Sequence, residues 1–221
     1  MRLLAPFVRK ATTVSSLIEA LKKIPIDLGQ GSVAERTKGK QIALGLVRDG
    51  AGRTALDVGA REGHQTRWLQ ARGYRVTSMD VESRFEGCLR VDANAPLPFA
   101  TGSFDLVWCS EVIEHLKDPA ASLAELLRVT SSGGDVILTT PNSYAILFRA
   151  IALFGLTPAK IQRSDHLHFF ALQDIRELAP EATVYGYFPY ACLKLTIRRG
   201  VGALSPTFVI HIKKPAPGPG A

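Results

Sequence analysis

The sequence predicts an α/β protein: a doubly wound, mostly parallel sheet preceded by a helical layer. Three observations lead there. Five strand-like runs between residues 54 and 140 alternate with helical patterns, which is how parallel strands obtain their crossovers. The run from Gly102 to Ser110 is almost continuously apolar, as a strand buried on both faces should be. The first run, Thr54-Ala-Leu-Asp-Val58, breaks into glycines at 59 and 63 before a helical stretch, His64–Arg72. Glycines let a backbone approach a ligand closely, and the helix that follows offers free N–H groups and a positive dipole end.

The elements can be justified in order. Residues 10–24 place Val14, Leu17, Ile18, Leu21 and Ile24 at helical spacing, and Pro25 ends that helix. Ser32-Val-Ala-Glu35 is a capping box for a second helix carrying Ile42, Leu44, Leu46 and Val47. Asp49-Gly-Ala-Gly52 then separates an N-terminal helical extension, residues 1–53, from a main domain spanning 54–214. After the glycine turn, Trp68, Leu69 and Ala71 can face the sheet, and Gly73 can cap the helix. Tyr74–Met79 is a second strand closed by Asp80, and Leu89–Val91 a third, followed by Asp92-Ala93. Pro119–Val129 is an amphipathic helix with Leu123, Leu126, Leu127 and Val129. Ser131-Ser-Gly-Gly134 turns into a fifth strand, 135–140, stopped by Pro141-Asn142. Residues 183–188 and 206–213 are strand-like and extend the sheet, and 215–221 has the Pro/Gly composition of a disordered tail.

A chain of 221 residues with 46% hydrophobic content can bury one good core. No apolar run reaches the ~18 residues a membrane span requires, and Leu3–Val8 is too short and wrongly flanked to be a signal peptide. Cys88, Cys109 and Cys192 lack paired spacing and read as free thiols of a cytoplasmic protein. The net charge of +7 is uneven. Residues 1–53 hold 10 Lys/Arg against 4 Asp/Glu, residues 54–145 hold 8 against 12, and residues 146–221 hold 9 against 4. Basic flanks around an acidic centre suit either a solvated surface or contact with an anionic partner.

The glycine turn excludes one cofactor class. A dinucleotide fingerprint needs glycines at its first, third and sixth turn positions, which here hold Gly59, Arg61 and His64. Asp57-x-Gly59-x-x-x-Gly63 after a strand instead resembles the first motif of the class I S-adenosylmethionine methyltransferases, with Arg61 replacing the middle glycine. Asp80, Asp92, Phe104-Asp-Leu-Val107, Glu111-Val-Ile-Glu-His115 and Ser132-Gly-Gly134 follow at the matching spacing, and the branch most resembled includes the ubiquinone-biosynthesis O-methyltransferases. The resemblance covers roughly residues 54–142. It implies a seven-stranded Rossmann-like sheet with its last strand antiparallel, and S-adenosylmethionine as cofactor. It further implies Gly59 and Gly63 at the close backbone approach, Asp57 at the methionine end, Asp80 on the ribose, Asp92 with Ala93 on adenine, and Ser110 on the methionyl backbone.

Methyl transfer from a sulfonium asks the protein for positioning and, with a poor nucleophile, a base. Nucleobase amine methylases carry Asn/Asp-Pro-Pro-Tyr/Phe after strand four; Ser110-Glu-Val-Ile-Glu-His115 stands here, which argues against nucleic acid and for an oxygen or carbon acceptor. Glu111, Glu114 and His115 are spaced to share one helix face, with His115 as a general base. A purely structural role for the trio, or a divalent ion held by it, are the other readings. Asp165-His-Leu-His168 is a second histidine pair, of which one member can reach the pocket and the other only pack. A degenerate methyltransferase fold serving as a binding module, or a nucleic-acid methylase, remain as competitors to a methyltransferase acting on a small, hydrophobic or lipid-like acceptor. Finally, residues 144–156 wind into a short helix that is apolar nearly all round, with Arg149 as the sole charge. Such a helix either roofs the acceptor pocket or lies on a membrane surface, making the protein peripheral.

Overall fold

The computed structural model describes residues 37–82, 84–153, 155, 157–162, 164–188 and 195–216. The helix expected over 10–24, the capping box at 32–35, Cys192 and most of the tail lie outside the described residues. Eight strands form one sheet: β1 Thr54–Val58, β2 Arg75–Asp80, β3 Cys88–Arg90, β4 Phe104–Ser110, β5 Thr130–Pro141, β6 Thr183–Phe188, β7 Leu195–Ile197 and β8 Thr207–Lys213. Their spatial order is β3-β2-β1-β4-β5-β8-β6-β7. β1 to β5 run parallel; β8 enters antiparallel between β5 and β6, and β7 adds an antiparallel edge strand beyond the seven expected.

The sheet is sandwiched by helices. On one face α1 (Lys38–Leu46) and α2 (His64–Ala71) pack Ile42, Ala43, Val47 and Leu69 against Ala55, Leu106, Trp108, Ile137 and Val209. On the other, α3 (Pro119–Val129) and α6 (Leu172–Leu178) pack Leu123, Leu126, Val129 and Ile175 against Leu56, Val107, Cys109, Val136 and Leu138. The alternation of Leu106 and Trp108 with Val107 and Cys109 between the two faces is why β4 reads as an unbroken apolar run. The remaining helices are α4 (Ile146–Ala152), α5 (Pro158–Ile161) and α7 (Val201–Leu204), the last packed against β6 and α4.

Local chemistry sets the helix starts. Asp118 caps α3 by accepting from Ala120 N–H at 3.0 Å and Ala121 N–H at 2.9 Å, and Pro119 fills the first helical position. Thr37 caps α1 through Lys40 N–H. Gly39 must lack a side chain, because a Cβ there would stand 2.9 Å from Thr207 Cγ2; α1 therefore lies directly on β8. In α4 and the two residues before it, Ala145 and Phe148 are buried while Tyr144, Ile146 and Arg149 are exposed, so this helix does not bury its whole circumference. No helix among the described residues is long and apolar enough to cross a membrane.

Candidate functional site

The strand order reverses at β1, which has β2 on one side and β4 on the other, so the carboxyl ends of these strands open a crevice. A cleft of about 330 Å³ lies there. Its walls come from the glycine turn (Gly59, Arg61), the ends of β2 and β3 (Asp80, Asp92, Ala93), the segment after β4 (Glu111, Val112, His115) and Asp165.

The turn is folded tightly onto β2. Gly59 and Ala60 both donate to Met79 O, at 2.9 and 3.1 Å. Gly59 has φ +73°, and a Cβ there would sit 2.3 Å from Val112 Cγ2; Gly63 has φ +75° and packs under Phe85. Arg61 occupies the position of the missing glycine at φ +46°, a left-handed conformation that costs a residue with a Cβ ~1–2 kcal/mol. Its N–H donates to Asp80 Oδ2 at 3.0 Å, while Glu82 N–H donates to Asp80 Oδ1 at 2.9 Å. Two backbone donors thus fix the Asp80 carboxylate at the cleft. Asp92 is oriented similarly: Asn94 donates to its Oδ1 through N–H at 2.9 Å and Nδ2 at 2.8 Å, holding its carboxyl below the usual range. Asn94 in turn accepts from Lys117 N–H at 2.7 Å, tying the β3 loop to the segment after β4.

Asp57 and Ser110 stand back from the cleft wall. Asp57 is 1% exposed and accepts from Thr66 Oγ1 at 2.6 Å and from the Thr66 backbone. Thr66 is the third residue of α2, whose cap position is the side-chain-less Gly63, so a carboxylate from β1 does the capping instead. Burial pushes the Asp57 pKa from 3.8 up to about 6, against the bonds from Thr66 and the charge of Lys40. Ser110 Oγ lies 2.8 Å from Thr139 Oγ1, and Thr139 spends its own proton on Glu111 Oε1 at 2.8 Å. Ser110 is therefore the donor in that chain.

Glu111, Glu114 and His115 do not share one helix face. Glu111 is left-handed, with φ +57°, and only a single 3-10 turn, Ile113–His115, follows it. A three-residue turn after a reversed residue cannot carry an α-helical register. Glu111 and His115 reach the cleft, whereas Glu114 turns inward, 1% exposed, and accepts from Thr140 Oγ1 at 3.1 Å. The backbone oxygen of Glu114 accepts from Leu167 and His168 N–H groups, which brings the late histidine segment alongside. His115 Nδ1 lies 3.0 Å from the Asp165 carbonyl oxygen, so that nitrogen is the donor. The His115 and His166 rings meet edge to face at 4.7 Å, and His166 Nδ1 lies 3.2 Å from Gln162 Oε1. Glu114, His115 and His166 each bring one ligand atom within 4.8 Å of the others, a set able to hold a divalent ion. His168 stacks on Phe170 instead.

Lys40 is a charge beside the site that the sequence did not reveal. It belongs to α1, is half-buried, and has a lowered pKa, chiefly from burial, with Glu111 and Asp57 acting oppositely as its carboxylate neighbours. Its spacing marks it as helical, but which way it faces depends on how α1 lies across β8.

The donor set, carboxylates at the ends of β2 and β3 with backbone N–H groups and glycines between, suits a ligand bearing ribose hydroxyls and an adenine amine. Residues 56–138 match the family described as Methyltransferase domain. The chain is 26% identical over 202 residues to a malonyl-acyl-carrier-protein O-methyltransferase of Erwinia billingiae, covering 85% of this chain and 79% of that protein. It is 33% identical over 117 residues to a ubiquinone biosynthesis O-methyltransferase of Pseudomonas paraeruginosa, covering 46% of this chain and 50% of that one, so it spans about half the length of such relatives. In fold it is similar to a possible histamine N-methyltransferase from Thermotoga maritima, with TM-score 0.60, 18% identity and coverage of 80% and 87%. It is likewise similar to a Burkholderia thailandensis 1,6-didemethyltoxoflavin-N1-methyltransferase solved with S-adenosylhomocysteine, with TM-score 0.54, 16% identity and coverage of 97% and 92%. The ordered motifs, the sheet and these relatives agree: residues 56–138 are a methyltransferase domain of the S-adenosylmethionine-dependent kind, with S-adenosylmethionine as its cofactor.

Proposed function

We propose that the protein methylates a hydroxyl of a small, apolar or lipid-like acceptor. The observation that carries this reading is His115 at the cleft wall with its Nδ1 proton committed to the Asp165 carbonyl. In the neutral ring, Nε2 then bears the lone pair, as a general base requires. The names of the two O-methyltransferase relatives support oxygen as the methylated atom.

In this reading Asp80 holds the ribose hydroxyls, Asp92 and the Ala93 backbone hold adenine, and Gly59 permits close approach of the chain. Gly63 lets α2 begin where its N–H groups serve the turn. Asp57 acts through Thr66 by fixing α2, and Ser110 acts through Thr139 by orienting Glu111. Lys40 and Glu111 offer opposite charges, suiting a group that carries both a carboxylate and an ammonium. The cofactor supplies a methyl on a sulfonium that leaves as a thioether. His115 Nε2 accepts the hydroxyl proton as the oxygen–carbon bond forms, so no charged alkoxide need persist.

Incubating the protein with methyl-labelled cofactor and a lipid-plus-metabolite extract tests the reading, with a labelled methyl ether as the expected product and a methyl ester pointing instead to a carboxylate acceptor that needs no base. His115→Ala should lower turnover ~10²–10⁴-fold while leaving cofactor affinity unchanged. Near wild-type turnover in that variant refutes the base. The Glu114, His115 and His166 set favours a second reading, in which a divalent ion lowers the hydroxyl pKa. Activity abolished by a chelator and restored by zinc or magnesium would replace the first reading with this one.

A further inference from the structure

We infer that α4 and the turn after it form a docking face for an anionic lipid surface beside the cleft. The inference rests on the apolar-acceptor reading for its purpose, though not for its evidence. Ile146, Arg149, Ala150 and Leu153 are all exposed and stand at i, i+3, i+4 and i+7, one face of a helix continued by the Leu153 N–H bond to Ala150 O. Soluble helices present that spacing to the core; here Ala145 and Phe148 take the core side and the apolar repeat faces out. Leu153 is 86% exposed, Ile146 60% and Tyr144 46%, and Leu167 on the neighbouring segment is 57% exposed.

Charge identifies the occupant. Residues 136–164 contain no Asp or Glu, and their charged residues are Arg149, Lys160 and Arg163, the last outside the described residues. Arg149 and Lys160 are exposed. Outward Tyr144, Ile146 and Leu153 with Arg149 as the charge among them complement lipid phosphates above an acyl boundary, while the half-exposed Asp165 beside Leu167 lines the cleft. The face also adjoins the site: Ser143 Oγ donates to Gln162 Oε1 at 3.1 Å and Ser143 N–H to Phe170 O, tying the base of α4 to the segment that holds Asp165 and His166. An acceptor dissolved in a bilayer would be met at the cleft mouth.

Flotation of the full chain tests this, using phosphatidylcholine vesicles with and without phosphatidylglycerol at low salt. Wild type is expected to float with the mixed vesicles only, and salt should release it. The doubly substituted Ile146→Asp, Leu153→Asp protein should stay soluble, and Arg149→Ala alone should weaken binding ~5-fold, from ~1 kcal/mol per surface cation. Calorimetry with S-adenosylhomocysteine on the same preparations shows that the variants are folded. If wild type floats but binds no S-adenosylhomocysteine, the methyltransferase reading fails while the docking face stands. Wild type remaining soluble beside mixed vesicles, or the double variant floating equally well, overturns the inference. So does a wild-type dimer that the same substitutions dissociate, since a second copy would then cover the face.

Discussion

Asp57→Asn exchanges a buried carboxylate for an amide of the same shape and leaves Thr66 with an acceptor. Burial raises the wild-type group from 3.8 to about 6 in the folded protein. A raised folded-state pKa means that the fold prefers the protonated form. The associated stability is fully present below the unfolded value of 3.8 and is lost as pH rises through about 6. The full span is about 3 kcal/mol at 1.36 kcal/mol per unit, of which about 1.4 kcal/mol is lost between pH 5 and pH 8. Asparagine has no proton to release, so the variant lacks this component. Urea unfolding followed by tryptophan fluorescence at both pH values gives four free energies. The variant should gain about 1.4 kcal/mol on wild type between pH 5 and pH 8. Equal losses in the two proteins over that interval would refute the argument, because they would mean that Asp57 titrates as an ordinary carboxylate.

Three further outcomes follow from the site. Asp80→Ala should weaken S-adenosylhomocysteine binding by roughly 10–100-fold in calorimetry, the worth of a charge-assisted pair of hydrogen bonds; unchanged affinity would remove Asp80 from the ribose. Arg61→Gly should raise unfolding free energy by up to ~1 kcal/mol by relieving a left-handed Cβ, and a loss of stability would show that its side chain contributes more than its strain costs. Gly59→Ala should lower stability and cofactor affinity together, since its Cβ would lie 2.3 Å from Val112 Cγ2, and retention of both would mean that the turn is looser than described.

Much of this fold was legible because its signals are local. Asp118-Pro119 announces α3 to the residue, and the apolar run at 104–110 announces a two-sided strand. The aspartates closing or following β1, β2 and β3 could be found by counting from strand ends. The site's finer geometry was less visible, for physical reasons that differ. Glu111 adopts a backbone conformation usually left to glycine, so helical spacing was the wrong ruler for the residues after it. Asp57 faces inward because Gly63 has no side chain to cap α2, a need met from another element. Lys40 arrives from a segment distant in sequence, and packing rather than pattern delivers it; of the histidine pair the sequence did single out, spacing could not say that His166 rather than His168 meets His115.

The insertion of β8 between β5 and β6 has a consequence for how the molecule assembles. β5 carries Val136, Ile137, Leu138, Thr139 and Thr140, and every one of them pairs with β8 across the antiparallel register. Until residues 207–213 arrive, that strand is a bare edge in an otherwise complete five-stranded sheet, with Asp135 as its nearest charge. Open apolar edges recruit other chains. The same contact closes a loop of long sequence separation, which places it late on the folding route. A nascent chain stalled before Thr207 would therefore be the species most exposed to aggregation and most in need of a chaperone.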